Sequence, residues 1–331
     1  MGGASLLAYA ALRLASGGRL EGAVTAASMT WAALAVNGSH FAATNYRLYR
    51  SPESARQFPL TAALVPVVVL AGVAASLAWP ARIAPYFVKL FLLWSPYHYS
   101  GQTVGLSVLY GRRARQELSA LERRLLSGFV YGTFLVSAAR SEAGLNRGEY
   151  MGIPYPFLGV PAWAATAALA GTAACGLALA ALWLRRSSRG RGLPALAWLP
   201  PLAQFVWFVP GPRTPAFYAL VPMFHGAQYL LVAWSLHLGE RRQEEERTGP
   251  AFAAAETARF AAWNLAGYAA LFWGLPQLLA LGTGKPYTLA APVFVAGVQI
   301  HHFFVDGVIW RLRRPQTARA LGAPAAAGAA A

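Results

Sequence analysis

The chain has 331 residues, of which 56% are hydrophobic and 12% charged, with a formal net charge of +16 and a mean hydropathy of +0.41. A soluble domain carries about twice that share of charge, so the composition excludes an ordinary globular domain and points to a protein whose partner is the lipid bilayer. The positive residues fall in short clusters between apolar runs, with no RNA- or DNA-binding motif beside them, which excludes nucleic acid as a partner.

At the N-terminus, Met1–Leu7 lacks the basic region of a secretory signal. The apolar stretch from Ala4 to Leu12 is too short to span and meets Arg13. It is read either as a marginal additional helix or as an interfacial one. Nine stretches then follow that are long enough to cross a bilayer, which takes about 20 apolar residues. They lie near 22–42, 59–79, 84–110, 121–140, 157–184, 193–209, 214–238, 257–282 and 287–310. Each is expected to be helical, because such a run satisfies its backbone only through bonds within the segment. The expected fold is therefore all-α, a polytopic integral membrane bundle of about nine transmembrane helices, or ten with the N-terminal segment. Residues 1–314 form one transmembrane domain, and 315–331 form a disordered Ala/Gly-rich tail.

Basic loops alternate with weakly charged ones along this order. Arg47–Arg56, Arg112–Arg124, Arg185–Arg191, Arg241–Arg247 and Arg311–Arg314 follow the first, third, fifth, seventh and ninth stretches. Positive loops stay on the cytoplasmic side, so the pattern predicts a bacterial-type inner-membrane protein with a cytoplasmic C-terminus. The 11 Trp and 14 Tyr suit interfacial aromatic belts, and Tyr97, Tyr99, Tyr229 and Trp310 are assigned to belt or packing roles. Lys89, near the outer end of the third stretch, is expected to snorkel to the surface. The single cysteine, Cys175, has no partner for an intrachain disulfide and reads as a small packing residue.

The chemistry-bearing signal is the histidines. Of the six, His40, His98, His225, His301 and His302 lie deep in apolar stretches, and Asp306, the only aspartate in the chain, follows His302 by four. Ionisable groups in hydrocarbon are costly and mark functional sites. At 1.5 Å per residue, counting back from the first cytoplasmic charge, His40 lies about 10 Å deep, His98 about 21 Å, His225 about 22 Å and His302 about 14 Å. All fit one slab between the midplane and the cytoplasmic surface. Each has a polar neighbour three or four residues away on the same helix face: Asn37 for His40, Gln102 for His98, Gln228 for His225 and Asp306 for His302. A metal-binding imidazole needs such an orienting partner for its second nitrogen. Pro96 and Pro222 precede the two deepest histidines and are read as opening a pocket there. His301 and His302 point about 100° apart, so only one of them faces Asp306.

The candidate ligands are thus His40, His98, His225, His302, Asp306 and His301, with Asn37, Gln102 and Gln228 behind them. Imidazole and carboxylate suit Fe above all, with Zn, Cu or Mn as other choices. The expected function is a metal-dependent membrane oxidoreductase acting on a lipid-soluble substrate, with reducing power from a redox partner or a diffusing carrier. Two other readings use the same residues: a heme-b electron-transfer protein with two axial histidines, and a His/Asp-lined proton or metal-ion transporter. The HxxxH and HxxHH boxes of the histidine-box membrane desaturases and hydroxylases are absent. Nucleophile-elbow, Walker A and dinucleotide motifs are absent as well.

Overall fold

The computed structural model describes residues 2–14, 22, 31–144, 147–310, 321–322 and 324. It is about 81% helical and has no closed sheet. In chain order the elements are α1 (Gly2–Leu14), α2 (Trp31–Tyr49), the short α3 (Pro52–Arg56), α4 (Leu60–Ala78), α5 (Ala84–Arg113), α6 (Ala120–Ser141), strands β1 (Arg147–Tyr150) and β2 (Ile153–Pro156), α7 (Ala162–Ser187), α8 (Ala195–Phe208), α9 (Pro215–Glu245), α10 (Pro250–Thr283) and α11 (Tyr287–Ile309). A π-helical turn opens α4 at Leu60–Leu64, and another interrupts α10 at Ala270–Gly274.

Each of the nine expected stretches contains a helix, but among the described residues five are long and apolar enough to cross a membrane: α4, α7, α9, α10 and α11. The count of nine is not established. At 14 residues α8 is short. Polar groups dilute the others: Asn37, Ser39, His40, Thr44 and Asn45 in α2, Lys89, His98 and Gln102 in α5, and Glu122, Arg123 and Arg124 in α6. The first part of the expected stretch 22–42 lies outside the described residues apart from residue 22, and α2 runs on to Tyr49. The N-terminal segment is a 13-residue helix tied to α8 by the Trp207 indole, which donates to Ser5 Oγ at 3.0 Å.

The helices begin where the local chemistry allows it. Ser119 and Glu122 form a reciprocal capping box at the start of α6. Proline occupies the first turn of α9 and α10, where its missing N–H costs nothing. Pro96 and Pro222 sit inside α5 and α9, which continue through them. In the packing, α6 lies against α7, α2 against α9, α10 and α11, and α11 against α4 and α5. One apolar cluster (Val69, Val73, Val88, Phe91, Val293, Ile300) joins α4, α5 and α11. Gln204 is a polar pin elsewhere: fully buried, its amide donates to Ser100 Oγ, the Val130 carbonyl and Thr133 Oγ1 at 2.8–3.1 Å, linking α8 to α5 and α6.

Three features depart from the sequence expectation. A small antiparallel hairpin, β1–β2, interrupts the all-α pattern, with Tyr150 opposite Ile153 across Met151 and Gly152. Both turn residues have positive φ (49° and 85°), the requirement of a tight hairpin turn that follows strand twist. Most of the tail expected to be disordered, 315–331, lies outside the described residues. Leu321 within it is buried against Leu106, Leu109 and Leu236, and its carbonyl accepts from Arg113 Nε at 2.6 Å. Lys89 does not snorkel. It is buried, ion-paired with Glu142, and capped by the rings of Tyr155 and Phe157 at 4.9 and 5.1 Å. Glu142 also accepts from the Leu158 N–H at 3.0 Å, so one buried pair ties α5 to the end of α6 and to the segment after the hairpin.

Removing one partner of a buried pair leaves an uncompensated charge. Lys89→Ala or Glu142→Ala should therefore destabilise the protein by about 3–5 kcal/mol, whereas the double replacement Lys89→Met/Glu142→Leu should recover most of that loss. Thermal unfolding in detergent micelles checks this. A double variant no more stable than either single one would remove the pair as the anchor of this end.

Candidate metal centre

Four helices bring the polar residues together. On α2, Asn37, His40 and Thr44 recur at three and four residues and share a face. Helix α5 contributes His98 and Gln102, α9 contributes His225, Gln228 and Tyr229, and α11 contributes His302, Asp306 and, just past its end, Trp310. Helices α2 and α9 approach closely at Gly226: a Cβ there would lie 3.1 Å from the Val36 carbonyl and 3.1 Å from His40 Nδ1. Any side chain at 226 would push His225 away from His40.

The four imidazoles form a closed quadrangle. Ring centroids are 4.7 Å apart for His40–His302 and His302–His98, and 5.2 Å for His98–His225 and His225–His40. His302 Nε2 lies 3.1 Å from His98 Nε2 and 3.4 Å from Asp306 Oδ2, and His98 Nε2 lies 3.6 Å from the same carboxylate oxygen. Ligand atoms of His40, His225 and His302 all fall within 4.8 Å of one another, as do those of His98, His302 and Asp306. Metal–nitrogen bonds of about 2.1 Å place two ligand atoms of one ion at most about 4.2 Å apart, so small side-chain adjustments bring either set onto one ion.

Hydrogen bonding fixes which nitrogens face inward. His40 Nδ1 contacts the Asn37 carbonyl, which can only accept, so Nδ1 carries the proton. In the neutral ring Nε2 then holds a lone pair, and it is buried with no hydrogen-bond partner among the described residues. His302 Nδ1 is held by Thr44 Oγ1 at 2.9 Å, which leaves Nε2 facing His98 and Asp306. Both nitrogens of His225 are buried without partners among the described residues, while its ring stacks on Tyr99 with centroids 3.9 Å apart. Asp306 is divided in the same way. Its Oδ1 accepts from the Tyr229 hydroxyl (3.1 Å), the Trp310 indole (3.2 Å) and Thr44 (3.2 Å), while Oδ2 points at the histidines. Buried polar atoms normally find partners; here His40 Nε2 and both nitrogens of His225 have none among the described residues, close to the His302–His98–Asp306 contacts, which is an arrangement a cation satisfies.

The structure thus gathers His40, His98, His225, His302 and Asp306 and leaves His301 out. The His301 ring turns to the other side of α11, where it stacks on Tyr49 and its Nε2 meets the Tyr49 hydroxyl at 3.2 Å, beside a separate 240 Å³ crevice. The three residues expected to orient imidazoles act differently. Asn37 uses its backbone carbonyl, and its side-chain oxygen has no partner among the described residues. Gln102 donates to Gln228 at 3.1 Å and to the His225 carbonyl at 3.4 Å, bridging α5 and α9 without touching an imidazole nitrogen. The residues that do orient the site are Thr44, Tyr229 and Trp310. Each stands four positions after a site residue (His40, His225 and Asp306), so helical spacing was the available signal. Tyr229 and Trp310 are accordingly not belt residues. His237, in the last third of α9, pairs with Glu256 at 3.2 Å, away from the cluster.

A cavity of about 350 Å³ opens against His98 and Asp306, lined mainly by Trp94, Tyr131, Leu106, Leu109, Val232 and Phe303. No family model matches the chain, and no curated protein or solved structure matches it either.

Metal content of purified variants tests the geometry. His302→Ala and Asp306→Asn should lose bound transition metal while remaining folded, and Thr44→Val should weaken its retention by about 10–100-fold, the usual effect of losing an orienting hydrogen bond. His301→Ala should keep full metal content. A His301→Ala protein that loses metal alongside a metal-replete His302→Ala would reverse the assignment.

Proposed function

We propose that this chain is an integral membrane protein of nine crossings, with a cytoplasmic C-terminus, and that it is a metal-dependent oxidoreductase acting on a lipid-soluble substrate. The single observation that carries the metal reading is the convergence of buried imidazole lone pairs, on His40 Nε2 and on His225, toward His98, His302 and Asp306 Oδ2. Four neutral histidines and one carboxylate match Fe, with Mn, Cu or Zn as competitors. His40, His225 and His302, or His98, His302 and Asp306, would hold the ion, and the cavity beside His98 and Asp306 would give a substrate access to it. When bound, such an ion supplies Lewis acidity or redox change.

The chain's own residues do the rest. The Asn37 carbonyl holds His40 in the tautomer that presents Nε2, and Thr44 Oγ1 engages Nδ1 of His302 so that its Nε2 faces His98 and Asp306. Tyr229 and Trp310 anchor Oδ1 of Asp306 so that Oδ2 stays inward. The aromatic and leucine lining keeps water away from the open side, which strengthens every electrostatic interaction inside.

Heme is the weaker reading. Axial histidines stand on opposite faces of a macrocycle, whereas these four rings contact one another edge to face with centroids 4.7–5.2 Å apart, leaving no slot between them. Elemental analysis with an optical spectrum on detergent-purified protein separates the readings. The expected result is about one transition-metal ion per chain, iron first, with no Soret band. A Soret band would favour heme, and trace metal with no heme would overturn both readings.

A further inference from the structure

The cavity beside the cluster is not sealed inside the bundle. Its α5 wall is one helix face: His98, Gly101, Gln102, Gly105 and Leu109 recur every three or four residues, which spans about 16 Å along the axis. The opposite wall comes from α11, at Phe303, Asp306 and Gly307. Between these helices the cavity reaches the outside of the bundle. Tyr97 on its rim is 48% exposed, Phe304 is 40% exposed, and Gly101 and Gly307 are exposed as well.

Glycine keeps this gap wide. Among the described residues, a Cβ at Gly105 would meet nothing within 4 Å, and one at Gly101 would meet only the Tyr131 hydroxyl, at 3.6 Å. Glycine inside a helix costs about 0.8–1.0 kcal/mol against alanine, and close packing between helices does not account for either position. The cytoplasmic end is closed by Leu106, Leu109 and Leu321, all 5% exposed or less. The inner end is polar, with His98, Asp306 and a Gln102 Oε1 that is buried without a partner among the described residues.

We propose that this groove is a lateral portal. A single straight acyl chain of a membrane lipid slides into it from the bilayer between α5 and α11, bringing a chain carbon beside His98 and Asp306. The assignment rests on the membrane and metal reading above and names its substrate class. At about 350 Å³ the chamber is near the lower end of ligand pockets, about 300–1,000 Å³. A single slim chain fits such a space along its length. The acyl chain is favoured because it is the molecule that surrounds the opening.

The test uses the full chain in phosphatidylcholine nanodiscs containing palmitic acid with a mid-chain diazirine, with adducts mapped by mass spectrometry after irradiation. Adducts are expected on Leu106, Leu109 or Val232 inside the groove, as well as on the outward-facing Leu278 and Leu281. Gly101→Leu and Gly105→Leu should each lower the groove adducts roughly tenfold by filling the space, while the outward adducts and the metal content persist. Adducts only on outward-facing residues of the wild-type protein would overturn the portal, a result that does not depend on either variant folding. Unchanged groove adducts in both folded variants, or displacement by farnesol but not by unlabelled palmitic acid, would overturn the acyl assignment. Labelling of metal-stripped protein keeps the two readings apart: groove adducts in a protein that binds no metal sink the metal centre alone, and full metal content with an unlabelled groove sinks the portal alone.

Discussion

Taking four imidazoles and a carboxylate out of water is the cost around which this bundle is organised. A polar group buried without a partner loses several kcal/mol relative to water, so the helices that carry these groups must be arranged to satisfy them together. Helices α2, α5, α9 and α11 meet at the quadrangle, and their other contacts follow from that. Gly226 lets α2 and α9 touch, Thr44 and Tyr229 close the α2–α9–α11 corner onto Asp306, and Gln102 with Gln228 spans α5 and α9. The polar residues that lower the apolarity of α2 and α5 are in part the ones that build this site, so their poor match to a spanning helix and their chemistry have one origin.

The same rule governs the bundle away from the site. The Gln204 amide nitrogen reaches acceptors on α5 and α6, and Glu256 gathers His237, Arg241 and Arg259 at 2.6–3.3 Å. Lys89 and Glu142 neutralise each other under two aromatic rings. Gln204 and the Lys89–Glu142 pair link elements distant in sequence, and Glu256 links the consecutive helices α9 and α10, so each also fixes which helices are neighbours. Within such packing, hydrogen bonds between helices specify arrangement as well as contribute stability.

Much of the site was legible because its signals are local. Depth along a helix placed His40, His98, His225 and His302 in one layer, and the four-residue step from His302 to Asp306 put them on one face. That step also favoured His302 over His301, but the place His301 takes, against Tyr49, was not legible, because it depends on how α11 is rotated against α2. Nor was the role of Tyr229, whose chemistry appears only when α9 meets Thr44, 185 residues away. Lys89 was misread for the same reason: an outer-end lysine without a visible partner snorkels, whereas one facing Glu142, 53 residues on, is buried. The hairpin escaped because four-residue strands carry too few positions for a period to show, and Met-Gly is not one of the usual hairpin turn pairs. The helical class itself was legible from the length of the apolar runs, while the number of crossings was blurred by the polar residues that the site requires.

The order of these residues along the chain has a consequence for biogenesis. Thr44 and His302 meet across 258 residues, and the last helix supplies both His302 and Asp306. At about 5–20 residues per second, tens of seconds separate the emergence of the first imidazole from that of the last. His40, His98 and His225 emerge in turn during that interval, each before the carboxylate is made. Any group that needs His302 or Asp306 could be held only after α11 is made, and a chain stalled before that helix carries three of these histidines without either residue.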